Sequence, residues 1–439
     1  MSYAFAYGAD AVYAGQPRYS LRVRNNEFDL DNLQLGLSQA HQQHKKLYVV
    51  SNIAAHNAKV HSYLRDIEPV IAMQPDALIM SDPGLIMLVR EKWPDMPIHL
   101  SVQANAVNYA TVLFWAKQGI QRVILSRELS LDEIGEIRVL CPNTELEVFV
   151  HGALCMAYSG RCLLSGYINK RDPNQGTCTN ACRWNYDVKP GTENETGELV
   201  HKFDPNSVIP TLGQGVPSKQ VFMLEEQGRP DEYMPAFEDE HGTYIMNSKD
   251  LRAVQYVEQL TKMGVHSLKI EGRTKSFYYV ARTAQVYRKA IDDAVAGRPF
   301  DANLMKTLEN LAHRGYTEGF LKRHVHQEYQ NYDYGHSVSD NQQFVGEILG
   351  RNNDGLAAVE VKNKFCVGHS LELMTPQGNL SFELNFMQNK KGERITDAKG
   401  SGHIVSIPLP VNINLEHAIL MCNLDANQDT RNPFKQAAV

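Results

Sequence analysis

The chain has 439 residues, more than one ordinary core needs, so two or more domains are expected unless a large α/β barrel takes up most of it. Hydrophobic residues make up 43% and charged residues 21%, an ordinary globular composition. No apolar run reaches the roughly 20 residues of a membrane span. The formal net charge of -6 argues against a sequence-blind nucleic-acid coat, but leaves room for RNA binding through a local basic patch.

The N-terminal stretch MSYAFAYGADAVYAG has no basic n-region, and Asp10 breaks its apolar run. It does not read as a signal peptide, so a cytoplasmic, reducing location is expected. Seven cysteines is an odd number, which disfavours a full disulfide framework. The thiols are then buried, metal-bound or catalytic.

One unit recurs along the chain. A helix end meets a Gly or Pro-Asp stop, and a short apolar strand follows. It appears in AFAYGADAVYAG, VIAMQPDALIMSDPG, FWAKQGIQRVILSREL and QLTKMGVHSLKIEGR, with weaker copies in AHQQHKKLYVVSN and KWPDMPIHLSVQAN. Strands this rich in Val, Ile, Leu and Met are those of a parallel sheet buried on both faces. Ser130 and Glu133 form a capping box just after one of them. Strands are expected near 11–14, 47–51, 77–81, 98–102, 122–126, 146–150, 243–247 and 267–270. No Gly-rich dinucleotide fingerprint follows any strand, which favours a (β/α)8-type, TIM-like barrel over a doubly wound sheet. The barrel is placed over residues 1–335, with a polar insertion over about 152–241. Residues 340–439 change texture. FVGEILG, LAAVEVKN, SLELMTPQGN, HIVSIPL and HAILMCNL predict a small antiparallel β-barrel domain.

Four of the seven cysteines, Cys155, Cys162, Cys178 and Cys182, fall within 28 residues in the pattern C-x6-C-x15-C-x3-C. Four thiolates can close a tetrahedral zinc site or hold an iron–sulfur cluster. Four small buried hydrophobes would be the unremarkable alternative. The spacing lacks the C-x2-C knuckles of structural zinc. The insertion begins at the end of the strand EVFVH, the face where barrels place chemistry.

The segment EVFVHGALCMAYSGRCLLS resembles the signature of the collagenase-like peptidase U family at Glu147, Phe149, Gly152, Cys155, Gly160, Cys162 and Ser165. GADAVYAG, HLSVQAN, ILSREL, NSKDL and KIEGRTKSFYYVARTAQVYRKAID are also similar to this family, so nearly the whole chain is covered. The resemblance implies oxygen-independent hydroxylation of an RNA or a ubiquinone precursor. Its most specific form is conversion of the tRNA wobble uridine to 5-hydroxyuridine, with prephenate as hydroxyl source. It also implies a [4Fe–4S] cluster on the four cysteines, and therefore iron–sulfur assembly machinery as a partner. Two other functions are carried alongside: a collagenase-like peptidase, and a non-catalytic zinc-bearing RNA-binding protein. No H-E-x-x-H or G-x-S-x-G supports a hydrolase. Family members open with a strand about fifteen residues before this Met1. The expectation is a barrel lacking its first strand, or a misassigned start.

Polar residues gather at the expected C-terminal strand ends: Asn52, Asp82, Gln103, Asn105, Arg127, Glu128, His151, Lys269, Glu271 and Arg273. His151, Glu271 and Lys269 are the catalytic candidates, with His151 as a proton shuttle near neutral pH. Asn52, Gln103, Asn105, Arg127, Arg161 and Arg273 are the substrate-binding candidates, the arginines because their forks suit a dicarboxylate. Lys269 and Glu271 lie two apart on a strand, share a face, and can equally form a structural ion pair. Lys170, Arg171, Arg183 and Lys275, with Tyr158, Tyr167 and Trp184, offer contacts for an RNA backbone and a splayed base.

Overall fold

A computed structural model describes residues 1–15, 18–21, 28–154, 249–272, 275–313, 315–322, 342–400 and 402–424, and within 155–248 only the backbone of short strands. The four clustered cysteines, Arg161 and Arg273 lie outside the described residues, as do Lys170, Arg171, Tyr158, Tyr167, Arg183 and Trp184.

The first half alternates strand and helix. The strands are β1 (Ala11–Gly15), β2 (Lys46–Ser51), β3 (Ala77–Met80), β4 (Ile98–Leu100), β5 (Arg122–Ile124) and β6 (Glu145–Ala153). The helices are α1 (Ser2–Ala6), α2 (Leu30–Gln42), α3 (Asn57–Ala72), α4 (Pro83–Lys92), α5 (Tyr109–Lys117) and α6 (Leu131–Leu140). Local chemistry explains the boundaries. Asp29, Asp82 and Asn108 each accept a backbone N–H at a helix start, and Pro83 takes the first turn of α4. Ser130 and Glu133 make the expected capping box on α6. Gly119 stands at φ +81 just after α5, where a residue with a Cβ would be strained.

β1 to β6 pair in sequence order, all parallel, and the strand Ser267–Ile270 pairs parallel to β6. The expected strand at 243–247 does not extend this wall within the described residues. Its first residue, Thr243, lies in a separate two-stranded antiparallel ladder, and 244–248 are outside the described residues. Asp250–Arg252 joins the main sheet instead, antiparallel to the end of β6. An antiparallel strand there extends the rim, not the parallel series. The two ends of the parallel series face each other, for the Tyr13 hydroxyl donates to the Ile270 carbonyl at 3.3 Å. The sheet is buried under its helices in one continuous core that includes Leu47, Val49, Leu78, Met80, Leu100, Val123 and Leu146.

The C-terminal part is an antiparallel sheet with its own core of Val345, Val359, Phe365, Leu371, Leu373 and Val405. Its strands include Gln342–Arg351, Ala357–Val361, Ser370–Thr375, Gly378–Glu383, Ile404–Ile407 and Ile419–Asn423, matching the β-like runs of the sequence. The long helix Phe277–Val295 joins the two parts. Arg282, 1% exposed, donates from it to Glu372 at 3.0 Å. The Tyr3 hydroxyl adds a 2.6 Å bond to Glu347. Among the described residues no helix is long and apolar enough to cross a membrane.

Candidate active site

The residues of β6 alternate in direction, so Glu147 and Phe149 share a face. Glu147, one of two acids on β6, is buried between apolar neighbours in sequence. Lys269 donates to it at 2.7 Å, and Arg122 at 3.2 Å. Burial would raise its carboxyl, but Lys269 and then Arg122 hold it at about 2. The Lys269 ammonium also lies 4.0 Å from the Tyr13 ring centroid, over the gap between β1 and Ser267–Ile270. His99, buried beside this group, is lowered to about 4, mainly by burial and then by Arg122. Lys269 and Glu271 are therefore not each other's partners. Glu271, just past the end of Ser267–Ile270, turns to Arg127 at 3.8 Å, and a bulge opposite Lys269 and Ile270 interrupts the alternation of β6. The Arg127 guanidinium lies 3.8 Å from the Phe149 ring centroid.

The same bulge moves His151. Lys269 pairs with Phe149 and Ile270 with His151, so Val150 is skipped. Val150 and His151 both meet Tyr287 on the long helix. The Tyr287 hydroxyl donates to the Val150 carbonyl at 2.6 Å and lies 3.3 Å from His151 Nδ1. The single phenolic proton is used on Val150, so Nδ1 carries the imidazole proton and donates to the phenol oxygen. The rings of Tyr279, Tyr287 and Tyr316 stand 5.7, 5.5 and 5.6 Å from the imidazole. Burial, then Lys275 and Arg252, lowers His151 to about 3. Held this low, His151 is neutral near pH 7. Its Nε2 lone pair has no hydrogen-bond partner among the described residues.

The next residue, Gly152, has φ +113, and a Cβ there would stand 2.6 Å from the Glu271 carbonyl. Only glycine allows this approach, and the approach fixes Glu271 against the end of β6.

The other candidates sit at neighbouring strand ends. Asn52 donates to Ser101 Oγ at 3.2 Å and accepts from the Leu21 amide at 3.3 Å. Asp82 accepts from the amides of Leu85 and Ala55, so it serves as a helix cap and loop anchor. Gln103 lies in a short 3-10 turn that ends at Asn105, whose φ of 51 is left-handed. The buried Gln103 Oε1, like the Ser126 hydroxyl after β5, finds no partner among the described residues. Buried polar atoms usually have a partner, so these two have hydrogen-bonding capacity that the described residues do not use. The structure thus joins Arg127 to Glu271 and Asn52 to Ser101, and separates His151 into the helix layer. Sequence reasoning missed Arg122, Ser126 and Tyr287 as parts of this assembly, and used Glu147 only as a motif residue. A charge between apolar neighbours in sequence was the available signal for Glu147.

The Peptidase family U32 profile matches residues 1–331, and the Peptidase family U32 C-terminal domain profile matches 340–421. The chain belongs to peptidase family U32. It is 70% identical over 436 residues to tRNA hydroxylation protein P of Escherichia coli (strain K12), covering 99% of this chain and 96% of that protein. It is 67% identical over 440 residues to tRNA hydroxylation protein P of Haemophilus influenzae, covering 99% and 95%. The 23S rRNA 5-hydroxycytidine C2501 synthase of Escherichia coli is 28% identical over 432 residues, covering 94% of this chain and 57% of that protein. The strand-end assembly of this U32 chain, from Asn52 to Glu271, falls wholly within the first profile.

Among the described residues no group of three or more His, Cys, Asp or Glu side chains is arranged to hold a metal ion. The donor set suited to one is the four cysteines outside them. Four thiolates fit an iron–sulfur cluster by type and number.

Proposed function

We infer that this chain is a tRNA-modifying enzyme that hydroxylates the wobble uridine to 5-hydroxyuridine without molecular oxygen. The observation that carries this is 70% identity, along nearly all of both chains, to a tRNA hydroxylation protein. Prephenate as hydroxyl source, and a [4Fe–4S] cluster on Cys155, Cys162, Cys178 and Cys182, belong to the same proposal. The cluster, when bound, supplies electron transfer. A cytoplasmic setting and delivery of the cluster by iron–sulfur assembly machinery follow from that reading.

The protein's own residues supply position and charge. We read residues 1–335 as a TIM-like barrel and 340–439 as its companion β domain. The facing of β1 and Ser267–Ile270 across Tyr13 supports a closed wall. In that arrangement Gln103 Oε1 and Ser126 Oγ offer unfilled hydrogen-bonding capacity at the strand ends. Arg127, held by Glu271 and Phe149, offers a preoriented fork for a carboxylate. Lys269, bound to Glu147, holds its charge away from solvent.

Mass spectrometry of tRNA nucleosides tests the reading. A deletion strain should lose 5-hydroxyuridine-derived nucleosides, and this chain should restore them. Failure to restore them sinks the function. Anaerobically purified protein should absorb broadly near 400 nm. Each of Cys155→Ala, Cys162→Ala, Cys178→Ala and Cys182→Ala should lose that band, and Cys422→Ala should keep it. Colourless wild-type protein carrying stoichiometric zinc after iron–sulfide reconstitution would reject the cluster.

A further inference from the structure

The C-terminal sheet gathers cations at one of its ends. Ala357–Val361 runs antiparallel to Ile404–Ile407, which runs antiparallel to Gln388–Asn389. The end of the first, the start of the second and the end of the third therefore lie side by side. The Val361 amide donates to the His403 carbonyl at 2.8 Å, and Phe365–Cys366 pairs with Asp397–Ala398. These ladders bring residues 360–364 and 388–403 to one surface. Those segments carry six cations, Lys362, Lys364, Lys390, Lys391, Arg394 and Lys399, against three carboxylates, Glu360, Glu393 and Asp397. This is a locally positive surface on a chain of net charge -6.

The pairing of these charges matters as much as their number. Lys362 meets Glu360 and Lys364 meets Asp397. Among the described residues Lys390, Lys391, Arg394 and Lys399 make no ion pair, and all four are exposed. Arg394 lies 4.8 Å from the Phe386 ring centroid, which holds its guanidinium at the surface. A second observation gives this surface a direction. Asn363, between the two paired lysines, donates to the Phe344 carbonyl at 2.8 Å. The Phe344 ring packs 5.2 Å from Phe277 and 5.9 Å from Tyr278, at the start of the long helix. Two residues before Phe277 stands Lys275, on the short loop after Glu271. The Lys362–Lys364 side of this cationic end thus adjoins the seam next to the strand-end site, and Lys390, Lys391 and Arg394 follow further out, beyond Ile404–Ile407.

We propose that this end of the β domain, with Lys390, Lys391, Arg394 and Lys399 as its contacts, is the docking surface for the tRNA phosphate backbone. The inference rests on the tRNA reading above and adds the place of contact. Unpaired lysines and an arginine held on a ring suit a polyanion, whose binding releases condensed counterions. The neighbouring paired lysines keep the loops folded without demanding the ligand. A substrate held here extends along the seam toward Glu271 and Arg127.

The test is tRNA binding by the full chain between 50 and 200 mM salt. The triple variant Lys390→Glu, Lys391→Glu, Arg394→Glu is set against Lys92→Glu, Lys117→Glu, Lys262→Glu, which makes the same change in net charge on outer helices. The patch variant should bind about 10-fold more weakly or worse at low salt, with a salt dependence shallower by about two to three. The control should stay within about 2-fold of wild type. Equal weakening in both triples, or an unchanged affinity and salt slope in the patch variant, overturns the docking surface. Nucleoside analysis of the complemented deletion strain separates the two levels. If wild type restores the hydroxylated nucleoside while the patch variant binds tRNA normally, only the surface is rejected. If wild type restores nothing, the functional reading fails.

Discussion

Glu147 and His151 lie four residues apart on one strand, both buried, and the fold treats them in opposite ways. Glu147 is kept charged by Lys269 and Arg122. His151, packed among tyrosine rings, is kept neutral by burial and by the cations Lys275 and Arg252. A bulge between them separates the two regimes, because it sends His151 into the helix layer while Phe149 stays with Arg127 and Lys269. A titratable residue near a site is therefore not automatically an acid–base group. Its value depends on which layer its side chain enters.

The largest expected effect comes from breaking the charged half. Glu147→Leu leaves Lys269 buried without its acceptor and should cost about 3–5 kcal/mol in urea unfolding. Adding Lys269→Met to it should recover much of that loss, since an apolar pair is often as stable as a buried ion pair. A loss under about 1 kcal/mol in the single variant would mean that the pair is not desolvated. The double variant also separates roles for Lys269. Recovered stability with recovered hydroxylation assigns it to the wall, and recovered stability without activity assigns it to the reaction.

Acid should distinguish the two residues next. His151 is lowered from the usual value of about 6.5 to about 3. The unfolded chain binds this proton first, so the stability is full above about 6.5 and falls as pH drops toward 3. At pH 5 the loss is about 2 kcal/mol relative to neutral pH. Glu147 is lowered to about 2, so its contribution is present above the usual carboxylate value of about 4.3 and falls only below it. His99, lowered to about 4, adds to the upper window. His151→Leu should therefore lessen the slope of the stability profile between pH 6.5 and 4.5, with His99 keeping the remainder, while leaving the drop below pH 4. A profile identical to wild type in the upper window would contradict the neutral, caged histidine.

The parallel strands were legible because each is a short apolar run after a helix stop. β1 to β6 and Ser267–Ile270 fall where those runs lie, and the capping box at Ser130 was readable from three residues. The β domain was equally plain from its alternating runs. The strand Asp250–Arg252 was not, since three residues with two charges carry no period. At the site, the sequence located the strand ends but not the directions of side chains. Strict alternation placed Lys269 beside Glu271 and His151 at the mouth, but Lys269 pairs with Glu147 and the bulge at Val150 turns His151 toward Tyr287. A bulge leaves no mark in a run such as EVFVHGA beyond the glycine after it. Partners from distant elements, such as Tyr287 for His151 and Arg122 for Glu147, are also invisible to spacing.

The smallest expected effect tests the tyrosine side directly. Tyr287→Phe keeps the ring against His151 and removes one hydroxyl. That hydroxyl donates to Val150, and it receives the His151 Nδ1 proton and the Ala253 amide. Its loss leaves His151 Nδ1 short of a partner, while the Ala253 amide and the Val150 carbonyl keep their 2.9 Å bond to each other, and the cavity is only one oxygen wide. A cost of about 1–2 kcal/mol is expected, within the range for a lost buried partner. The sharper readout is the imidazole itself. In wild type, nitrogen NMR should show His151 as the Nδ1–H tautomer across neutral pH, because the phenol oxygen is available only as an acceptor. In Tyr287→Phe that preference has lost its cause, so the Nε2–H tautomer should become populated. An unchanged tautomer would mean that His151 is oriented from its Nε2 side instead.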